Sequence, residues 1–118
     1  MLRLMFCLVR AKDLTHEQFL DHWRNVHAPL VKTLRKPLRI ARYAQIPIAP
    51  PEGVPKPNPE ADQFDGVAEL VWESLEDYMV RSTTPEGIEA TKLLNEDSRK
   101  FMRLSKCVPL WGYEEQVF

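Results

Sequence analysis

The stretch Phe19-Leu20-Asp21-His22-Trp23-Arg24-Asn25-Val26-His27-Ala28-Pro29-Leu30 sets a titratable imidazole, His27, beside a break in a helical pattern. An imidazole near its unperturbed pKa of about 6.5 moves protons at neutral pH, so His27 suits a general acid/base or a hydrogen bond to a ligand. A hydrogen-bonded histidine at the edge of a core satisfies the same spacing, so both roles stay open at this point. Pro29 has no N–H for the carbonyl of Asn25 and its ring crowds that carbonyl. The helix should therefore kink or restart near Val26 to Ala28, freeing polar backbone beside the imidazole.

The helix that carries this pair starts at Thr15, with Gln18 three residues on as the reciprocal partner of a capping box. Phe19, Trp23, Val26, Leu30 and Leu34 then follow the three-and-four spacing of one buried stripe, with Asp21, Arg24, Asn25 and Lys32 elsewhere. At roughly 100° per residue His27 falls about 60° from the middle of that stripe, close enough for its ring to turn inward.

Other chemistries lack their residues. His22 and His27 are five apart, about 140° around a helix, and do not grip one metal ion as an i, i+4 pair does. No nucleophile elbow, phosphate loop or dinucleotide fingerprint is present, and four glycines leave little material for one. No haem-specific motif appears either, so neither metal nor organic cofactor is expected. Sixteen basic against seventeen acidic residues leave the chain near neutral, and no basic run interleaves with aromatics, so nucleic acid is not an expected partner. The early apolar run Leu4 to Val9 is too short to span a bilayer and, flanked by Arg3 and Arg10, makes a poor signal peptide; we expect a cytoplasmic protein with no membrane association. Cys7 and Cys107 show no CxxC spacing and read as buried free thiols.

The 118 residues suffice for one domain with a real core. Met1 to Arg10 reads as a strand whose two alternating sets, Leu4/Phe6/Leu8 and Met5/Cys7/Val9, are both apolar. Arg39 to Ile48 reads as a second strand, and Phe64 to Trp72 as a third, with Val67, Glu69 and Val71 on one face and Ala68, Leu70 and Trp72 on the other. Ser74 with Asp77 starts a short helix, Thr84-Pro85 another that runs to Leu104 with an interruption near Asn95, and Ser105 to Gln116 is a last strand. Pro47 and Pro109 require edge or end positions. Six of the ten prolines fall between Pro47 and Pro59, so residues 47–63 form an irregular excursion, either a connector or a flap. The order β, α, β, β, α, β is an α+β, ferredoxin-like arrangement with a four-stranded antiparallel sheet and helices on one face. Because the first strand is apolar on both sides, the other sheet face needs a cover. A second copy of the chain is the expected one, and the proline-rich segment folding back is the competitor.

Phe19-x-x-x-Trp23-x-x-x-His27-x-Pro29-Leu30-Val31, then Arg42-Tyr43, then Asp65-Gly66-Val67-Ala68-Glu69-Leu70, resembles the EthD-like family over most of the chain. The resemblance implies a dimeric α+β barrel, in which two ferredoxin-like subunits bury their sheets against each other. It also implies chemistry on small, unsaturated, oxygenated molecules, commonly by proton movement next to a carbonyl and without a cofactor. A pocket between the first helix and the sheet would draw Trp23, Phe6 or Leu8, Tyr43 and Trp72 as walls for a flat substrate. His27 would move the proton, while Tyr43 or Arg42, which point to opposite faces of one strand, would steady the developing enolate oxygen. Glu69 is open to two roles: a buried acid that assists or orients His27, or an ion-pair partner at a dimer seam. The expected function is a cofactor-independent lyase or isomerase acting on a small aromatic, lactone or polyketide-like metabolite. The alternatives are a non-catalytic dimeric metabolite-binding or accessory protein and a cofactor-free monooxygenase.

Overall fold

The computed structural model describes residues 1–54 and 58–118, so positions 55–57 of the proline-rich excursion lie outside the described residues. In chain order the elements are β1 (Leu2–Leu8), α1 (His16–His22), a π-helical turn (Trp23–His27), α2 (Ala28–Thr33), β2 (Arg42–Pro47), a 3-10 turn (Pro59–Gln63), β3 (Gly66–Trp72), α3 (Leu75–Thr83), α4 (Pro85–Phe101), a second 3-10 turn (Leu104–Lys106) and β4 (Val108–Tyr113). The four strands pair antiparallel in the order β2-β3-β1-β4. Chain neighbours β1 and β2 are thus separated by β3, as the split βαβ arrangement requires. Both proline-bearing strands, β2 ending at Pro47 and β4 containing Pro109, are the sheet edges, where a missing N–H costs no ladder bond.

The strands are shorter than the apolar runs suggested, because their ends turn into hydrogen bonds with neighbouring loops. Asp65 N–H, for example, donates to the Leu8 carbonyl at 2.8 Å. Helix starts follow the capping chemistry. Thr15 Oγ1 accepts from Gln18 N–H while Gln18 returns a bond to Thr15 N–H, Ser74 caps Asp77, and Thr84 caps Gly87 ahead of Pro85. The expected interruption near Asn95 is absent. Helix α4 runs unbroken to Phe101, because packing of its inner face overrides the weak helix preference of one asparagine. Leu104 lies beyond it in the 3-10 turn.

The break at Pro29 takes a specific form. Ala28 N–H reaches back five residues to the Trp23 carbonyl, widening the helix by one residue over Trp23–His27. That extra residue shifts the buried stripe: Phe19, Trp23, His27, Val31 and Leu34 face inward, while Val26 is 49% exposed. The sequence periodicity, which assumes a regular helix, had put Val26 inside and His27 beside the stripe. The π turn moves His27 to its centre.

The core lies between the sheet and the helices. Trp23, Phe19, Phe101 and Leu8 are its largest fully buried side chains, each worth about 1.5–3 kcal/mol in burial. The Phe19 ring lies tilted at 5.4 Å from both Trp23 and Phe101, tying the first helix to α4. Asp65, itself buried, accepts hydrogen bonds from the Arg10 backbone N–H and the Arg10 guanidinium, and pairs with the His16 ring, each at 2.8 Å. It thereby pins the end of β1 and the start of α1 to the entry of β3. At Gly66 a Cβ would stand 2.6 Å from Trp23 Cζ3 and 2.7 Å from Cη2, so only glycine leaves room for the indole against β3.

On the opposite sheet face, Met5, Ile46, Val108 and Leu110 are exposed and Val67 is half-buried. This face also carries Glu69, in ion pairs with Arg3 and Arg42. Cys107 is buried and burial raises its thiol pKa, whereas Cys7, on the outer face, is only half-buried.

Gly66→Ala should cost about 1–3 kcal/mol, read from urea unfolding midpoints, and should shift Trp23 fluorescence. Unchanged stability and emission would show that the indole does not rest on Gly66.

Candidate active site

Cross-strand register fixes the floor of the site. Tyr43 pairs with Leu70, Leu70 with Leu4, and Leu4 with Trp111, so these four side chains form one row on the helix-facing side of the sheet. Gln45, Ala68, Phe6 and Pro109 form the next row. Between this floor and the helices lies a cavity of about 350 Å³, a size suited to a small organic molecule. Phe6, Trp23, His27, Tyr43 and Trp72 all line it. Arg42 and Glu69 do not, because strand alternation puts both on the other face, where they pair with each other. Their expected contacts with substrate or with His27 are therefore corrected. Glu69 takes the ion-pair role, held between Arg3 and Arg42.

His27 is 5% exposed, and its Nδ1 lies 2.7 Å from Asp97 Oδ2. The other carboxylate oxygen, Oδ1, is 3.0 Å from His22 Nε2. Phe101 backs the pair, stacked on His22 at 4.5 Å and tilted against His27 at 4.9 Å. Burial pushes Asp97 toward the neutral acid, but its hydrogen bonds to His27 and His22, with the positive charge they can carry, prevail and hold its pKa below the usual value. Burial likewise lowers the His27 pKa, and Asp97 offsets this only in part. At neutral pH the arrangement is an ionised Asp97 accepting from Nδ1–H of a neutral His27. Nε2 then carries the lone pair, on a ring that lines the cavity, with no partner among the described residues.

Two donors accompany it. Gln45 Nε2 donates to the Tyr43 hydroxyl oxygen and to the Trp23 carbonyl, at 2.9 Å each, leaving the phenolic proton free for the cavity. Burial raises the Tyr43 pKa despite these neighbours, so the group stays a phenol. The buried Trp23 indole N–H has no hydrogen-bond partner among the described residues, though it lies near enough to the Tyr43 oxygen to favour the ionised phenol.

The imidazole nitrogens of His22 and His27 point at the Asp97 oxygens and not at a common centre. Among the described residues no three His, Cys, Asp or Glu side chains converge as metal ligands. No helix among them is long and apolar enough to cross a membrane.

Sequence reasoning missed Asp97. A signal was present: Ala90, Leu94, Asp97 and Phe101 keep the four-three-four spacing of the inner face of α4, so an acid stands where an apolar residue belongs. Tyr78, Arg81 and Trp111 were also missed as cavity residues.

Fold and site together define a ferredoxin-like α+β protein with a histidine-bearing cavity between sheet and helices. The family model described as the EthD domain matches residues 11–105, and the chain belongs to that family. Among solved structures it is similar to an ethyl tert-butyl ether d (EthD) family protein from Bacillus halodurans, at 20% identity and a TM-score of 0.65, covering 98% of this chain and 99% of that one. It is similar also to a dimeric protein of unknown function and ferredoxin-like fold from Bacteroides fragilis (14% identity, TM-score 0.60, 97% and 95% covered). A third is the hydroxynitrile lyase of Passiflora edulis (14% identity, TM-score 0.54, 98% and 95% covered). Among curated proteins none matches.

Asp97→Asn should lower stability at pH 7 by about 1–3 kcal/mol, measured by urea titration. The folded-state pKa of Asp97 lies below its unfolded value near 3.8. Its contribution is therefore complete above that value and is lost as pH falls through the folded pKa, so wild type and variant should converge in strong acid. A gap that persists there would show that the carboxylate charge is not what stabilises the pair.

Proposed function

We propose that the protein is a lyase or isomerase that moves a proton next to a carbonyl of a small aromatic, lactone or polyketide-like metabolite, with His27 as the acid/base. The observation that carries this reading is the orientation of His27: its Nδ1 is occupied by Asp97 while its ring lines an apolar cavity. A histidine kept merely to fill a core would gain nothing from a cavity beside it. A base needs that access.

The chemistry follows from the groups present. A substrate carbonyl oxygen accepts from the Tyr43 hydroxyl, whose proton Gln45 leaves free, and from the Trp23 indole N–H once it turns from the neighbouring Tyr43 oxygen. His27 Nε2 removes a proton from the adjacent carbon, and the bond electrons move onto the carbonyl oxygen as an enolate held by those donors. The imidazolium that forms is steadied by ionised Asp97. Return of the proton to a different carbon completes an isomerisation; its delivery to a departing group completes an elimination. Phe6 and Trp72 supply apolar wall. The Passiflora edulis neighbour, a hydroxynitrile lyase, is an instance of lyase chemistry on this fold.

The working form is a homodimer joined through the outer sheet faces. Met5, Ile46, Val108 and Leu110 form an exposed apolar surface there, one that a monomer would leave against water. The Bacteroides fragilis neighbour is described as dimeric.

A panel of aryl ketones, unsaturated lactones and poly-β-ketone thioester mimics, incubated in D₂O and followed by NMR, should include compounds that the protein deuterates next to the carbonyl. His27→Gln should slow that exchange by about 10²–10⁴-fold with ligand affinity kept within a few-fold. Binding without exchange in the wild type would replace the enzyme with an accessory metabolite binder.

A further inference from the structure

We propose that the substrate or ligand of this cavity is an anion, an aromatic carboxylate, and that Arg81 on α3 is the residue that binds its charged end. The inference rests on the reading of this cavity as the substrate site, and extends it to the class of molecule bound.

The lining of the cavity is the first ground. It includes Arg81 but no aspartate or glutamate among the described residues. Arg3 has acidic partners in Glu69 and Glu114, Arg10 in Asp65, Arg39 in Asp77 and Arg42 in Glu69, whereas half-buried Arg103, which does not line the cavity, has no acidic partner among the described residues. Arg81, half-buried, has none among the described residues; its one hydrogen bond goes from Nη1 to the Tyr78 hydroxyl at 3.0 Å. A partly desolvated cation without a counter-ion beside an apolar cavity favours a ligand that brings the missing charge.

Placement is the second ground. The Arg81 guanidinium lies 4.9 Å over the Tyr78 ring, a favourable cation–π contact. Tyr78 packs edge-on against Trp72 at 4.9 Å and against Trp111 at 4.8 Å, so the cation borders a three-ring aromatic wall. Asn95 also lines the cavity, and no hydrogen bond occupies its carboxamide among the described residues. Trp111 and Tyr43 stand at opposite ends of one four-residue row across the sheet. Three strand spacings, about 14 Å at the backbone, separate the two positions. The cavity thus has a proton-transfer end, at His27, Tyr43 and Trp23, and an anion-binding aromatic end at Arg81. A flat acid with its carboxylate remote from its reactive carbonyl fits both.

The test is binding, so that it stands apart from catalysis. Isothermal titration would compare 2-naphthoate with its uncharged isostere 2-naphthamide. The wild type should prefer the acid by about tenfold or more. Arg81→Met should abolish the preference by weakening acid binding alone, Arg81→Lys should restore part of it, and His27→Gln should leave it intact. Circular dichroism and thermal melts establish that each variant is folded, and Arg81→Lys serves should Arg81→Met fail to fold. Equal affinity for acid and amide, retention of the preference in Arg81→Met, or no binding of either compound would overturn the proposal. Preference for the acid without proton exchange on any carbonyl compound would overturn the acid/base reading of His27 and leave the anion site standing.

Discussion

The site depends on one buried carboxylate. Asp97 projects from α4 and receives a histidine on each oxygen, His27 on Oδ2 and His22 on Oδ1, both from the first helical region. Burial alone would neutralise such an acid; its two imidazole partners keep it charged. The same contact selects the His27 tautomer and turns the other ring nitrogen into a base, and it also ties the helices together over the sheet. Acid weakens this arrangement through both partners. The unfolded state takes up protons more readily than the buried His27 below its ordinary pKa near 6.5, and more readily than Asp97 lower down.

The π turn makes this contact reachable. In a regular helix His27 would sit to the side of the buried stripe, with Val26 inside. Pro29 withholds a hydrogen bond from Asn25, the helix widens by one residue, and His27 moves to the centre of the stripe opposite α4. Gln45 donates to the Trp23 carbonyl, which also accepts the Ala28 N–H of the π turn, and its second contact leaves the Tyr43 proton free. A proline in one helix is thus linked, through one backbone carbonyl, to a phenol on an edge strand of the sheet.

Element order, strand faces and helix caps were legible because each rests on local chemistry: period-two alternation in Phe64 to Trp72, hydroxyl caps at Thr15, Ser74 and Thr84, and prolines that only edge strands accept. His27 was legible for the same reason, as an imidazole next to a helix-breaking proline. What pattern alone missed was non-local. Asp97 belongs to the site because α4 faces the first helix, a relation no window of sequence contains, though an acid on the apolar stripe of α4 marked the place. Glu69 and Arg42 looked chemically apt, and alternation already placed Glu69 with Val67 and Val71. Only the observed register brought Arg42 beside Glu69 on the outer face, away from the cavity. Arg81 escaped notice because a lone arginine in a short helix has no signature until the lining of a cavity shows that its charge is uncompensated.

The chemistry of the site requires His27 to be neutral at pH 7 with its proton on Nδ1. Long-range ¹H–¹⁵N correlation spectra of selectively ¹⁵N-histidine-labelled protein, assigned with His27→Gln and titrated from pH 8 downward, read that state directly. The spectra should show a protonated Nδ1 and an unprotonated Nε2 at pH 7, with a midpoint below 6.5. A proton on Nε2 at pH 7, or a midpoint above 6.5, would contradict that chemistry.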